Sequence, residues 1–119
     1  RGSDRRRRRL MNVRLSAGAI RCRATAAELE QLLTGRAISL DLYLPRDRRF
    51  RINVRPAALE TWQLDSDPTG VWVAIPRVQL EEFAKTLPSR EGIEHGFETA
   101  QGSVTVSFEV DLRDSGESG

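Results

Sequence analysis

The stretch whose reading decides the fold is Ala19-Ile20-Arg21-Cys22-Arg23-Ala24-Thr25-Ala26-Ala27-Glu28-Leu29-Glu30-Gln31-Leu32-Leu33. Its first half puts Ile20, Cys22 and Ala24 in alternation with Arg21 and Arg23, the period-2 pattern of a strand with one wet face. Thr25-Ala26-Ala27-Glu28 then has the spacing of a capping box, in which a hydroxyl and a carboxylate each satisfy a backbone N–H that the first helical turn leaves free. Ala26, Leu29, Leu32 and Leu33 form one helical stripe, and Gly35 supplies the stop. The period changes from 2 to 3.6 at Thr25, so a strand runs directly into a helix.

The same order recurs 51 residues later. Val71 to Ala84 again reads strand, then helix, with Leu80 aligned on Leu29, Glu81 on Glu30 and Phe83 on Leu32. Pro76 suits the first position of this second helix, Leu80, Phe83, Ala84 and Leu87 form its apolar stripe, and Pro88 stops it. Each helix is followed by further strands, which suggests a duplicated β-α-β-β-β unit.

Those strands are read from alternation. Val13 and Leu15 alternate with Asn12 and Arg14, and Ser16-Ala17-Gly18 turns the chain. Ile38, Leu40, Leu42 and Leu44 alternate with Ser39, Asp41 and Tyr43. Phe50, Ile52 and Val54 alternate with Arg51, Asn53 and Arg55, and Pro56 is expected to end the pairing because it cannot donate to a ladder. A hairpin of Leu59–Leu64 and Val71–Ile75 is expected around the turn formers 65–70. The last pair is Ile93–Thr99 and Ser103–Leu112, with Val104, Val106, Phe108, Val110 and Leu112 on one side. The expectation is an α+β fold: two helices on a mainly antiparallel sheet of about eight strands, open or curled into a barrel.

Length and composition bound the rest. The chain has 119 residues, 39% of them hydrophobic and 30% charged, the size and balance of a single globular domain. No apolar run is long enough to form a transmembrane helix. The single cysteine, Cys22, excludes both an internal disulfide and a site of several thiolates. The formal charge of +2 is unevenly spread: residues 1–10 carry +5, and residues 11–119 carry −3. Residues 1–10 are therefore read as a disordered basic arm or a non-native leader, 11–113 as the domain, and 114–119 as a flexible tail.

Few residues offer chemistry. His95 is the only histidine, and its phase with Ile93 and Phe97 puts it on the core side, as a structural histidine. Cys22 shares the core side with Ile20 and Ala24, away from Arg21 and Arg23, and reads as inert. The sequence shows no phosphate loop, dinucleotide fingerprint, zinc spacing, Ca²⁺ loop or nucleophile elbow, and no catalytic residue is assigned. What stands out is the polar side of the strands. Arg14, Arg21, Arg23, Arg51 and Arg55 lie on it, with Tyr43 and Trp72, while Glu109 and Asp111 take that side in the last strand. Arginines in alternate positions suit bidentate recognition of phosphate or carboxylate. They also suit ordinary cross-strand ion pairing on a solvated face.

Two resemblances follow from these residues. Met11-Asn12-Val13-Arg14-Leu15, Ala19-Ile20-Arg21-Cys22-Arg23-Ala24-Thr25 and Glu28-Leu29 resemble the opening of a family of small uncharacterised bacterial proteins, which begin Met-Lys-Ile-Arg and continue Ser-Ile-Arg-x-Arg-Leu. That resemblance implies a start at Met11 and a cytoplasmic location, and carries no catalytic residue. Duplicated β-α-β-β-β units with arginines and acids on one face also resemble, in topology, the triphosphate tunnel phosphohydrolases. Their opening strand of alternating glutamates is replaced here by Asn12-Val13-Arg14-Leu15. The main expectation is a non-enzymatic domain that binds a protein or a small anionic ligand through Arg14, Arg21, Arg23, Arg51, Arg55, Tyr43 and Trp72, with no cofactor and no membrane partner. The first alternative is a tunnel-type phosphohydrolase with Mg²⁺ or Mn²⁺ on Glu109 and Asp111. The second is nucleic-acid binding by the arginine arm, residues 1–10.

Overall fold

The computed structural model describes residues 11–89 and 91–112; the basic arm and the polar tail read from the sequence lie outside the described residues. The chain runs β1 (Asn12–Ser16), β2 (Ala19–Thr25), α1 (Ala26–Leu33), β3 (Ile38–Leu44), β4 (Arg48–Ala57), β5 (Gln63–Asp67), β6 (Gly70–Pro76), α2 (Arg77–Lys85), β7 (Ile93–Thr99) and β8 (Gly102–Asp111). The α+β class, the two helices and the eight strands agree with the sequence reading. The single, mainly antiparallel sheet does not, and of the two forms left open for it the closed barrel is not formed. There are two four-stranded sheets, ordered β1-β2-β8-β7 and β3-β4-β6-β5, and both are mixed.

The reason lies in how four hairpins combine. β1–β2, β3–β4, β5–β6 and β7–β8 are each antiparallel, joined by short turns. The second strand of each hairpin still has one unpaired edge. β2 takes β8 in parallel, and β4 takes β6 in parallel. Alternation specifies a strand and its buried face but carries no information about which distant edge it meets, so parallel pairing was invisible in the sequence.

The registers expose the duplication more sharply than residue identity does. The pair Asn12↔Arg23 of the first hairpin reappears as Gln63↔Ala74, and Ala19↔Thr105 across the parallel pair reappears as Gly70↔Arg51. The repeating unit is hairpin–helix–hairpin rather than the β-α-β-β-β suggested by the sequence, because β1 pairs with β2 and belongs to the repeat; each sheet combines the first hairpin of one repeat with the second hairpin of the other. At Gly70 a side chain would collide with the backbone carbonyl of Arg51, its parallel partner. The crossing of β4 and β6 therefore requires glycine there.

The contacts divide the chain into two compact units with one sheet each: described residues 11–29 with 86–112, and residues 30–85. In the first, Met11, Cys22, Ala24, Val106 and Phe108 are buried. In the second, Ile52, Val54, Val73, Ile75, Leu80 and Phe83 are buried, and α2 lies against β4 and β6.

The capping box forms as expected and does more than cap. The Glu28 carboxylate accepts from the Thr25 backbone N–H at 2.9 Å, while the Thr25 hydroxyl accepts from the Glu28 N–H at 3.1 Å. The other carboxylate oxygen of Glu28 accepts from the backbone N–H of Met11 at 3.0 Å, which ties the start of β1 to the start of α1. At the equivalent place in the second repeat, the indole N–H of Trp62 donates to the Gln79 side chain at 2.8 Å. Gly35 ends α1 as predicted, with φ of 95° and the Arg36 N–H donating to the Gln31 carbonyl at 2.9 Å.

Four boundaries differ from the sequence reading; one is the end of α2, which stops at Lys85, before the Leu87 and Pro88 expected to close it. β4 continues through Pro56 to Ala57; its pairing with β3 has already ended at Val54, so a missing N–H costs that ladder nothing. β5 occupies Gln63–Asp67 rather than Leu59–Leu64, because pairing of Leu64 with Val73 overrides the turn preference of Asp65, Ser66 and Asp67. Asp67 then accepts from the Thr69 N–H at 2.6 Å and shapes the short turn 68–69. Pro76 closes β6 instead of opening α2.

Replacing Glu28 by Ala removes a cap and leaves two buried N–H donors, of Met11 and Thr25, without an acceptor. Chemical denaturation of Glu28→Ala should show a loss of about 2 kcal/mol, and Gln79→Ala, which affects one side-chain donor, should lose less.

Candidate functional site

The polar face of the first sheet is built from alternate residues of four strands. Register sets Arg14 directly opposite Arg21, Asn12 opposite Arg23, and Arg23 opposite Glu109 on the next strand. Arg23 reaches the Glu109 carboxylate at 3.3 Å, and Arg21 reaches the same oxygen at 3.8 Å. Two guanidiniums thus share one carboxylate oxygen. Among the described residues no carboxylate pairs with Arg14. Glu94 sits one strand further on, beyond Ser107, so the basic and acidic edges of this face are kept apart by the hydroxyls of β8.

The three arginines with Asn12 and Glu109 line a niche of 20 Å³. Beside it, and sharing Arg23 and Glu109, a groove of 620 Å³ is lined by Pro88, Ser89, Val110, Asp111 and Leu112. The groove residues Pro88, Ser89 and Leu112 were not picked out as functional from the sequence; Pro88 read only as a helix stop. No local signal marks them, because they become neighbours of Arg23 only through the parallel β2–β8 pair.

The remaining candidates, Arg51, Arg55, Tyr43 and Trp72, belong to the second sheet. Arg51 forms a two-pronged ion pair with Asp41 across β3 and β4, at 2.6 and 3.0 Å. The hydrogen bond from Arg51 holds the Asp41 carboxyl below its ordinary range, and the pair leaves Arg51 little capacity for a ligand. Trp72 lies between Asn53 and Asp65, Arg55 lies opposite Ala74, and Tyr43 is 74% exposed on the edge strand β3. The two faces have diverged. Positions Arg14, Arg21 and Arg23 of the first sheet correspond to Asp65, Trp72 and Ala74 in the second.

Glu109 and Asp111 are on one face of β8 as the alternation required, but Glu109 is engaged by Arg21 and Arg23. Among the described residues no group of three or more His, Cys, Asp or Glu side chains gathers at metal-binding distance. His95 is on the side predicted, opposite Val106, but it is exposed, with its ring edge-on to Phe97 at 5.0 Å. Its strand β7 is the sheet edge, where a core-facing position is not automatically covered. Cys22 is buried and the absence of solvent pushes its thiol up to about 12. No helix among the described residues is long and apolar enough to cross a membrane.

Comparison with known proteins adds nothing to this geometry: no family model matches the chain, and no curated protein or solved structure shows significant similarity to it.

Two outcomes are expected here. Cys22 should stay unreactive toward a thiol-specific reagent at pH 8 and titrate fully in denaturant. For Asp41, a folded-state value below the unfolded one adds stability that is present above the ordinary carboxylate range and lost as pH falls through the folded value. Acid unfolding of Asp41→Asn, followed by circular dichroism, should therefore show a shallower loss of stability below about pH 4 than the parent chain.

Proposed function

We propose that the chain is a binding module for an anionic ligand, and that the ligand sits on the Arg14–Arg21–Arg23 face of the first sheet. One observation carries this reading: two arginines stand directly opposite each other on adjacent strands, with a third beside them, and among the described residues a single carboxylate pairs with the group. Like charges in directly opposed positions destabilise a strand pair, whereas solubility alone is served by alternating signs. A bound anion turns that repulsion into a set of charge-assisted hydrogen bonds.

The reading is narrower than the sequence expectation. Arg51 is committed to Asp41, and Arg55, Tyr43 and Trp72 lie on the other sheet, so the binding residues we propose are Arg14, Arg21 and Arg23, with Asn12 as a neutral donor. Glu109 has a defined part. It holds Arg21 and Arg23 in place when no ligand is present, and it competes with the ligand for them. From the resemblance of the opening residues to the small bacterial family we place the chain in a bacterial cytoplasm.

Isothermal titration with inorganic phosphate tests the site. Arg14→Ala and Arg21→Ala should each weaken binding about tenfold, the effect of losing one charged hydrogen bond. Arg55→Ala should leave it unchanged, and Glu109→Gln should tighten it by removing the competing charge. Affinity should fall steeply with added salt. Binding that is indifferent to both Arg14→Ala and Arg21→Ala overturns the proposal.

A further inference from the structure

We infer that the anion is the phosphate of a small organic phosphate monoester, whose body extends past Arg23 into the neighbouring groove; this rests on the anion-binding reading above. Three features lead there. The first is charge. Within the niche, among the described residues, Arg14, Arg21 and Arg23 against Glu109 leave an excess of two positive charges, with Asp111 outside it in the groove wall; a phosphate monoester matches that excess because it carries about −1.5 to −2 at neutral pH. A monocarboxylate supplies only half of that.

The second feature is size. The niche among the arginines measures 20 Å³, space for about one oxygen-sized atom. A single tetrahedral group can set one oxygen into it and present the others to the guanidinium edges. A chain of phosphates cannot be enclosed there, and neither can any organic body, which must therefore leave the niche.

The third feature is the exit. Arg23 and Glu109 line both the niche and the 620 Å³ groove, so the two spaces meet at this pair. A volume of that size lies within the range of about 300–1,000 Å³ usual for small-molecule sites. Its wall combines the apolar side chains of Pro88, Val110 and Leu112 with the polar Ser89 and Asp111. The Ser89 hydroxyl is already turned back on its own loop, accepting from the Glu91 N–H at 3.1 Å. The ester's body meets a mixed wall, in which Pro88, Val110 and Leu112 supply apolar contact beside the charged Arg23, Glu109 and Asp111. Phosphate held at one end and an apolar or aromatic body covered at the other is the chemistry of a small phosphorylated metabolite.

Binding of inorganic phosphate, phenyl phosphate and a phosphoserine pentapeptide to the full chain, each measured by calorimetry at one pH and salt concentration, tests the inference. Phenyl phosphate should bind at least about tenfold tighter than inorganic phosphate, a difference of about 1.4 kcal/mol. Leu112→Ala, at the partly exposed end of the chain's described part, should erase most of that advantage without changing the affinity for inorganic phosphate. Arg21→Ala should weaken both ligands together. If inorganic phosphate binds and phenyl phosphate gains nothing, or if its gain survives Leu112→Ala, the inference is overturned while the anion site stands. Tighter binding of the phosphopeptide than of phenyl phosphate overturns the assignment to a small molecule. If neither phosphate nor its ester binds, the anion site fails too.

Discussion

Each sheet depends on one parallel strand pair, β2 with β8 and β4 with β6. A hairpin alone is marginal in water, because its strands each keep an unpaired edge and its apolar face has nothing to cover it. Joining two hairpins edge to edge completes the inner ladders and gives four strands with a common apolar face. The joint brings together residues from the two ends of the chain: Arg23 meets Glu109, and Cys22 meets Phe108. Without it the first sheet would have neither its core nor its arginine–glutamate cluster. The repeat is built so that each joint needs one hairpin from each half, and neither half can complete a sheet on its own.

Duplication also explains which parts were free to change. The place where a residue preceding the first strand bonds to the helix start is kept in function but not in chemistry. In the first repeat a backbone N–H donates to a carboxylate, and in the second an indole N–H donates to an amide. The core positions keep their apolar character, Cys22 corresponding to Val73 and Leu29 to Leu80. The outward positions have no such constraint, and there the repeats part. Arginines occupy three places on one face, and Asp65, Trp72 and Ala74 occupy the same places on the other. Divergence of this kind puts the trio Arg14, Arg21 and Arg23 on the first sheet without a counterpart in the second.

The patch owes its character to geometry as much as to composition. Five arginines alternate in the sequence, but they are not equivalent once paired. Arg51 finds Asp41 directly across an antiparallel ladder and is neutralised. Arg14 finds Arg21. A difference of one strand partner thus separates a structural ion pair from a site of unmatched charge, and it cannot be read from the spacing of the arginines alone.

What the sequence determined by itself was local: the alternation of Ile20, Cys22 and Ala24, the capping box Thr25–Glu28, the glycine stop at Gly35, the α+β class, the two helices, and the buried side of the inner strands; on the edge strands Leu15, Leu42 and Leu44, read on the apolar side, are exposed. These follow from interactions within a few residues, where a periodicity of 2 or 3.6 and the free N–H groups of a helix start leave a direct imprint. Misplaced boundaries arose where a distant partner outweighed a local preference, as at Asp65–Asp67 and Pro56. Tertiary structure alone decided that there are two mixed sheets rather than one antiparallel sheet, that His95 is exposed, and that Arg14, Arg21, Arg23 and Glu109 gather beside a groove made with Pro88 and Leu112. The physical reason is that an unpaired strand edge is satisfied by any extended backbone. The choice among partners is made by the summed burial of whole faces, a quantity no short stretch of sequence contains.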